Sequence, residues 1–370
     1  MGVDLSSFWR IVIKVGSSLL VDDADRIDRN WLDGLARDVA FLRQRDAEVL
    51  VVSSGAIAIG SRLLKINKAR ARLEQLQAAA AVGQVELAHA YKDAFSDLDI
   101  GTAQVLLTLD DTEGRRRFLN ARTTLRCLLD ERIVPVINEN DTVATDEIRY
   151  GDNDRLAARV AQMVMADALI LLSDVDGLYT SDPGSDPTAT HIAEVTNIDD
   201  RIVAMAGETK SDIGSGGMAT KVQAARIATH AGCSTIIASG RNEQPIHTLA
   251  AGGRCTVFAA GETPAAARKQ WLAGMLSVKG ELRLDDGAVK ALKSGNSLLP
   301  VGLVDVVGEF RRGDVLTLVS SDGQEIGRGL AEYSDSEARQ LIGLKSDAIE
   351  ERLGYRGRSV IVHRDELLLY

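Results

Sequence analysis

The chain alternates short apolar runs with longer stretches in which apolar side chains recur every three or four residues. Short apolar runs are typical of buried strands, and the longer spacing is typical of helices. The pattern predicts strands at residues 10–15, 48–52, 102–107, 133–137 and 168–172. It predicts helices at residues 31–42, 69–95, 112–130 and 156–165. Strands that alternate with helices indicate the α/β class, here a three-layer αβα sandwich around a mainly parallel sheet.

The pattern changes after residue 258. Residues 259–268 are small, with glycine and proline, and lead into a short helix, which is typical of a linker. Farther on, short β-branched runs separated by glycines predict strands at 301–307, 315–319, 327–331 and 359–362. We therefore predict an α/β domain over 1–258, a linker over 259–276, a small, mostly-β domain over 277–355 and a C-terminal tail over 356–370.

Composition and charge narrow the function classes. The 370 residues are 45% hydrophobic and 26% charged, an ordinary globular composition, and the formal net charge of −10 argues against nucleic acid as the main partner. The cysteines Cys127, Cys233 and Cys255 are scattered, without metal spacing, as expected in a reducing compartment. No apolar stretch approaches the roughly 18 residues of a membrane helix, and no signal peptide is evident. These features predict a cytoplasmic protein.

An acidic segment follows the predicted strand at 133–137. Residues 138–154 (NENDTVATDEIRYGDND) hold six carboxylates and three amides against one arginine. A charged loop is usually just solvated, but at the carboxyl end of a strand in an open α/β sheet it stands where ligands bind. Because so many acids repel one another, cations or hydrogen-bond donors should converge on them.

Two cationic segments could supply that charge. Lys14 lies within an apolar strand and is followed by Gly16-Ser17-Ser18, so it must reach solvent or an anion such as a phosphate. Residues 214–221 (GSGGMATK) precede a helical pattern, where backbone amides and Lys221 could form an anion site. The GxGxxA match in this segment lacks the preceding strand of a dinucleotide fold, and we interpret it as accidental. Ser53-Ser54-Gly55 and Ser173-Asp174 follow other strands, where simple turns would also explain them.

These loops suit phosphoryl transfer to a carboxylate. Such an acceptor has a pKa near 4.3 and is already ionised at neutral pH, so no general base is needed. The catalyst mainly positions two anions and neutralises charge on the transferred group, which lysines, backbone amides and Mg²⁺ can do. No HExxH, GxSxG or Cys–His signature is present, which argues against zinc or nucleophilic hydrolysis.

Several motifs together resemble the bacterial glutamate 5-kinases of the amino acid kinase family. They are IVIKVGSSLL, VVSSGAIAIG, RRFLNARTTL, VPVINENDTVATDEI, GDNDRLAA, LLSDVDGLYTSDP and GSGGMATKVQAA, across residues 8–258, and the segment 277–355 resembles a PUA domain. The resemblance implies the amino acid kinase fold and ATP- and Mg²⁺-dependent conversion of L-glutamate to L-glutamyl 5-phosphate, the first step of proline biosynthesis. It also implies feedback inhibition by proline and a homo-oligomer, either a dimer or a tetramer; the next pathway enzyme is a further possible partner.

The resemblance also implies roles for individual residues. Lys14 and Lys221 would bind ATP and stabilise the transferring phosphoryl group, and Asp154, with Asp152 as a second candidate, would orient both lysines. Glutamate would be held by Ser54, Asp141 and Asn153. The ATP-binding residues would be Lys14, Ser173, Asp174, Ser215, Gly216, Gly217, Met218, Ala219, Thr220 and Lys221. The metal ligands are left unassigned.

Alternatives remain within and outside this family. N-acetylglutamate kinase shares the fold, but its substrate carries a neutral amide, and Asp141 facing that amide would lose a cationic partner at a cost of about 1–3 kcal/mol. The acidic loop therefore favours a free α-ammonium group. Aspartokinase and uridylate kinase are possible on fold alone. A different class, RNA binding through the PUA-like domain, is disfavoured because residues 277–355 hold ten Lys and Arg against fourteen Asp and Glu, a net charge of −4. A regulatory or assembly role suits that domain better.

Overall fold

The computed structural model describes residues 3–22, 24, 26–143, 153–207, 217–274 and 278–370. The chain forms two compact units, residues 1–264 and 265–370. Residues 144–152 of the acidic segment and residues 208–216 of the second cationic segment lie outside the described residues.

The first unit is built on an eight-stranded sheet. The strands of the large sheet are β1 (Arg10–Val15), β2 (Glu48–Val52), β3 (Thr102–Leu107), β4 (Val134–Glu139), β5 (Ala168–Ser173), β8 (Glu194–Val195), β9 (Ser234–Ser239) and β10 (Cys255–Phe258). The remaining two strands, β6 (Leu178–Tyr179) and β7 (His191–Ile192), pair with each other in a separate antiparallel sheet. The order in the large sheet is β3-β4-β2-β1-β5-β9-β10-β8. Among these neighbours only the β9–β10 pair is antiparallel. The predicted mainly parallel sheet is confirmed.

Helices cover both faces of this sheet. They are α1 (Ser17–Leu20), α2 (Arg29–Arg43), α3 (Ala56–Leu63), α4 (Leu73–Ser96), α5 (Leu109–Glu113), α6 (Arg115–Asp130), α7 (Asn153–Val164), α8 (Asp200–Met205), α9 (Met218–His230) and α10 (Pro245–Ala250). The predicted helix at 112–130 is split, because Gly114 takes an extended backbone and caps α6. The predicted helix at 69–95 begins later, at Leu73.

Alternation along β1 assigns each side chain to one face. Ile11, Ile13 and Val15 pack in the cluster that contains residues of α2, α4 and α10. Val12 packs in the other cluster, with residues of α6, α7 and α9. Because successive side chains of a strand point to opposite faces, Lys14 lies on the side of Val12, toward α7 and α9. The three-layer sandwich is thereby confirmed, and it determines which helices can meet Lys14.

Helices α3 and α4 cross at two glycines. A Cβ atom on Gly60 would lie 1.7 Å from the carbonyl oxygen of Ala79, and one on Gly83 would lie 1.9 Å from that of Ala56. Any larger side chain would therefore separate the two backbones. The crossing fixes α4 against the segment that follows β2.

The second unit is mostly β, as predicted. It contains all but the first residue of α11 (Pro264–Gly274). The elements that follow are β11 (Gly280–Leu284), α12 (Asp286–Lys293), β12 (Leu303–Gly308), β13 (Val315–Val319), β14 (Glu325–Leu330), α13 (Asp335–Leu341), α14 (Ile349–Leu353) and β15 (Leu367–Leu369). The sheet order is β12-β11-β13-β14-β15. Its core includes Leu282, Leu316 and Leu318, and Ile361 and Leu367 also contribute.

The segments predicted as linker and tail both contain secondary structure, including the short helix that was expected after the linker residues. Most of the linker at 259–276 forms α11, and Arg268 of α11 pairs with the buried Glu366 at 2.6 Å. Within the tail at 356–370, β15 pairs with β14. Three residues are too few to show an alternating pattern, but they supply backbone hydrogen bonds to an otherwise unpaired strand edge. At 359–362 the predicted strand is reduced to a single bridge between Val362 and Leu298.

A buried carboxylate on α2 stabilises the start of α10. Asp38 accepts hydrogen bonds from the backbone N–H groups of Ile246 (2.7 Å) and His247 (3.0 Å) and is fully buried. We expect Asp38→Ala to lower the free energy of unfolding by about 2–4 kcal/mol, because two buried donors lose their acceptor. Urea denaturation measures this change. Asp33→Ala, on the more exposed side of the same helix, is the control and should change stability by about 0.5 kcal/mol or less; equal effects would contradict the assignment.

Candidate active site

The carboxyl ends of five parallel strands meet at one edge of the large sheet. The strands β1, β2, β4, β5 and β9 end at Val15, Val52, Glu139, Ser173 and Ser239. The polar loops identified in the sequence after β1, β2, β4 and β5 follow these ends directly. Open α/β sheets bind ligands at this edge.

Two lysines converge on a single carboxylate at this edge. The Nζ atom of Lys14 lies 2.6 Å from Oδ1 of Asp154, and the Nζ atom of Lys221 lies 3.1 Å from Oδ2. The hydroxyl of Thr220 donates to Oδ2 at 3.0 Å. All three charged side chains are buried, with Asp154 only 1% exposed. The structure thus brings together Lys14, Lys221 and Asp154, which come from three distant parts of the sequence.

Local structure explains why these groups meet. Lys14 points toward α7 and α9 because it alternates with its β1 neighbours; Asp154 lies in the first turn of α7, and Lys221 lies one turn into α9. Burial raises the pKa of Asp154, but the charges of Lys14 and Lys221 outweigh burial and lower that pKa to about 2. The carboxylate is therefore ionised at any pH near neutrality.

A chain of buried amides lies beside this cluster. Nδ2 of Asn153 donates to the Ser54 hydroxyl (2.8 Å), to the Ser53 carbonyl oxygen (3.1 Å) and to Oδ1 of Asn138 (3.2 Å). Nδ2 of Asn138 in turn donates to Oε1 of Gln84 at 2.7 Å. The Tyr91 hydroxyl donates to the Ser53 hydroxyl at 3.0 Å. Two of the three predicted glutamate-binding residues, Ser54 and Asn153, are thus in direct contact.

Asp141, the third of these residues, begins a short 3-10 helix (Asp141–Val143) two residues after β4. Burial raises the pKa of Asp141 to about 6. A cationic partner that approached this carboxylate would favour the ionised form and lower the pKa again.

The predicted nucleotide-binding residues lie on two loops. The Ser173 hydroxyl donates to Asp174 at 2.9 Å, and the Arg241 side chain donates to the carbonyl oxygen of Asp174 at 3.0 Å. Four others, Gly217, Met218, Ala219 and Thr220, form the cap and first turn of α9. Ser215 and Gly216 lie outside the described residues, as does Asp152.

Sequence reasoning missed three residues at this edge: Gln84, Tyr91 and Arg241. The first two lie on α4, whose alanine-rich sequence offered no sign that two polar side chains face inward. Their burial on the inward face of α4 is visible only in the structure, so the sequence holds no signal that would identify them. Arg241 follows β9, which we did not predict.

Within the described part of the chain, no group of three or more His, Cys, Asp or Glu side chains is arranged to hold a metal ion. Asp154 is already neutralised by two lysines, so it offers no free charge to a metal.

The same described residues include no helix long and apolar enough to cross a membrane.

The chain is similar to known proteins over both of its units. Residues 9–239 match the amino acid kinase family, and residues 280–353 match the PUA domain. The chain is 53% identical over 365 residues to the glutamate 5-kinase of Rhizobium rhizogenes, an alignment that covers 99% of this chain and 94% of the relative. It is 54% identical to the glutamate 5-kinases of Paramagnetospirillum magneticum (99% of both chains) and Rhodospirillum rubrum (97% of this chain, 96% of the relative).

Asp154→Asn should destabilise the protein because it leaves two buried lysines without their shared counter-charge. We expect the free energy of unfolding at pH 7 to fall by about 3–5 kcal/mol in urea denaturation. Asp174→Asn is the matched control, since Asp174 is exposed at the same sheet edge and should cost about 0.5 kcal/mol or less. Adding Lys14→Met to Asp154→Asn should restore part of the loss, because one unpaired charge is removed. No restoration would show that the ion pairs do not determine stability here.

The wild type should show the same interaction in its pH dependence. Because the folded pKa of Asp154 is depressed to about 2 from 3.8, its contribution to stability is complete above about pH 4 and is lost as the pH falls toward 2. The stability difference between wild type and Asp154→Asn should shrink over that interval. A constant difference between pH 4 and pH 2 would contradict the depressed pKa.

Proposed function

Because the chain belongs to the amino acid kinase family, in the branch of the glutamate 5-kinases, we propose that it phosphorylates the side-chain carboxylate of L-glutamate with ATP. The product is L-glutamyl 5-phosphate, and the reaction is the first step of proline biosynthesis. The observation that carries the proposal is the convergence of Lys14 and Lys221 on Asp154 at the ligand-binding edge of the sheet. The identity of 53–54% over nearly the whole chain supports glutamate as the acceptor.

The chemistry follows from the charges in the site. A glutamate carboxylate oxygen forms a bond to the γ-phosphorus as the bond to the bridging oxygen of ATP breaks, and ADP leaves. Lys14 and Lys221 neutralise charge on the transferred phosphoryl group, and Asp154 holds both ammonium groups in place. The acceptor is already ionised, so no residue needs to remove a proton.

Ser54, Asn153 and Asp141 are proposed to bind glutamate, with Asp141 facing the α-ammonium group. ATP is proposed to contact the lysines, Ser173, Asp174 and residues 215–220, including the segment that the structure does not describe. Mg²⁺ is proposed to arrive with ATP, bound through its phosphates, since Mg²⁺ commonly keeps several waters and few protein ligands. The described residues supply no acidic cluster for it, and no step depends on one.

We extend the proposal to the physiology that the family resemblance implies. The enzyme would act in the cytoplasm as a homo-oligomer, a dimer or tetramer, and would be inhibited by proline. The labile acyl phosphate requires prompt reduction, so the next pathway enzyme is a candidate partner. The PUA domain would serve regulation or assembly.

The direct test traps the acyl phosphate with hydroxylamine in the presence of ATP and Mg²⁺. We expect a hydroxamate from L-glutamate, suppressed by proline, and none from N-acetyl-L-glutamate tested in parallel. Product from the acetylated substrate alone would overturn the role of Asp141 and assign the chain to N-acetylglutamate phosphorylation.

Lys14→Ala and Lys221→Ala should each lower kcat by about 10²–10³-fold in this assay, because each removes a cation from the transferring group. KM for glutamate should change much less. Lys92→Ala, at an exposed lysine of α4, is the control and should be fully active. Folding is checked by circular dichroism, and near-normal turnover in both folded lysine variants would refute the proposed mechanism.

The KM for glutamate should depend on pH through Asp141. With a pKa of about 6, this carboxyl group is mostly protonated at pH 5.5 and cannot pair with an ammonium group. We expect KM for glutamate to rise about fourfold between pH 7.5 and 5.5 at saturating MgATP. Asp141→Asn should have a higher KM that varies little over the same range. A flat wild-type profile would exclude a titrating Asp141 from glutamate binding.

A further inference from the structure

Two backbone groups determine which end atom of each buried side-chain amide near Ser54 is oxygen and which is nitrogen. This orientation is called the polarity of the amide chain. The N–H of Glu139 donates to one end atom of the Asn138 side chain at 2.9 Å, and a backbone N–H can only donate. That atom of Asn138 must therefore be oxygen. The carbonyl oxygen of Ser53, 3.1 Å from Asn153, can only accept, so the Asn153 atom facing it must be nitrogen.

Both anchors agree with the contact between the two asparagines. The nitrogen of Asn153 faces the oxygen of Asn138 at 3.2 Å. The nitrogen of Asn138 is then turned toward Gln84, whose oxygen accepts from it at 2.7 Å. Gln84, Asn138 and Asn153 are all at least nine-tenths buried, so water competes little for these groups.

The polarity leaves one acceptor unused. Oδ1 of Asn153 is buried, and among the residues that the structure describes it has no hydrogen-bond partner. A buried, unpaired amide oxygen is costly unless a ligand supplies a donor. Ionised glutamate carries two carboxylates, which only accept, and one α-ammonium group, which only donates. The free oxygen matches the ammonium group.

We propose that Gln84 is a positioning residue that, through Asn138, holds the Asn153 amide with its oxygen free to bind the α-ammonium group of glutamate. This inference rests on the proposed function. Gln84 does not touch the substrate in this arrangement. It satisfies the far end of the amide chain, and without it the Asn138 nitrogen is a buried donor with no acceptor, which favours rearrangement of both asparagines.

The test uses the full-length enzyme and Gln84→Met, which preserves the length of the side chain and removes its acceptor. Glutarate, which has both carboxylates of glutamate but no ammonium group, serves as a competitive inhibitor. We expect KM for glutamate to rise about tenfold, while kcat, KM for ATP and Ki for glutarate stay within about twofold. Gln84→Glu keeps an acceptor oxygen and should restore KM to within about threefold of wild type.

Glu86→Met, at an exposed position two residues later on α4, is the control for inserting methionine into this helix and should leave all four constants unchanged. An unchanged KM for glutamate in folded Gln84→Met would overturn the inference. An equal rise in KM for glutamate and Ki for glutarate would also overturn it, because a general packing defect weakens the binding of both molecules. Gln84→Leu replaces Gln84→Met if the latter does not fold. Failure of the proposed function is distinguished by the wild type, which would then form no hydroxamate from glutamate.

Discussion

The structure depends on keeping two lysine ammonium groups buried at one edge of a parallel sheet. Burying either group alone would be strongly unfavourable, and the single carboxylate of Asp154 makes both tolerable because each of its oxygens faces one lysine. This constraint ties together β1, α7 and α9, which supply the three charges. The sheet edge determines where the two lysines lie, and the ion pairs with Asp154 stabilise their charges there.

The neighbouring amide chain solves a different problem with neutral groups. In the proposed reaction, the phosphoryl-transfer side of the site needs positive charge, whereas the glutamate side must accept an ammonium group. In the proposed binding mode the amide oxygen of Asn153 does this without adding a full negative charge beside Asp154, and Asp141 would supply a negative charge from a less buried position. The two halves of the site therefore differ in electrostatic character although they share α7, which carries both Asn153 and Asp154.

Much of this architecture could be predicted, for physical reasons. The apolar runs of β1 and β2 have the bounds that the pattern indicates, because parallel strands buried on both faces read as continuous apolar segments. The bounds of β3 also agree, although this edge strand is only partly buried. The lysines, Asp154, Ser54 and Asn153 were identified by motif, and the structure places them together. Gln84 could not be identified, since an inward-facing glutamine in an alanine-rich helix looks like a solvated one. The short β15 was missed because it depends on pairing rather than on its own pattern.

The crossing of α3 and α4 at Gly60 and Gly83 has a mechanical consequence. Backbone rests on backbone there, so no side chain can change rotamer to absorb a displacement of α4. Gln84 follows Gly83 directly, and Tyr91 lies two turns farther on. A displacement of α3, which begins just after Ser54, would therefore require α4 and its Gln84 side chain to move as well. The pair of glycines therefore holds α4 rigidly at this crossing, one residue from Gln84, which satisfies the far end of the amide chain.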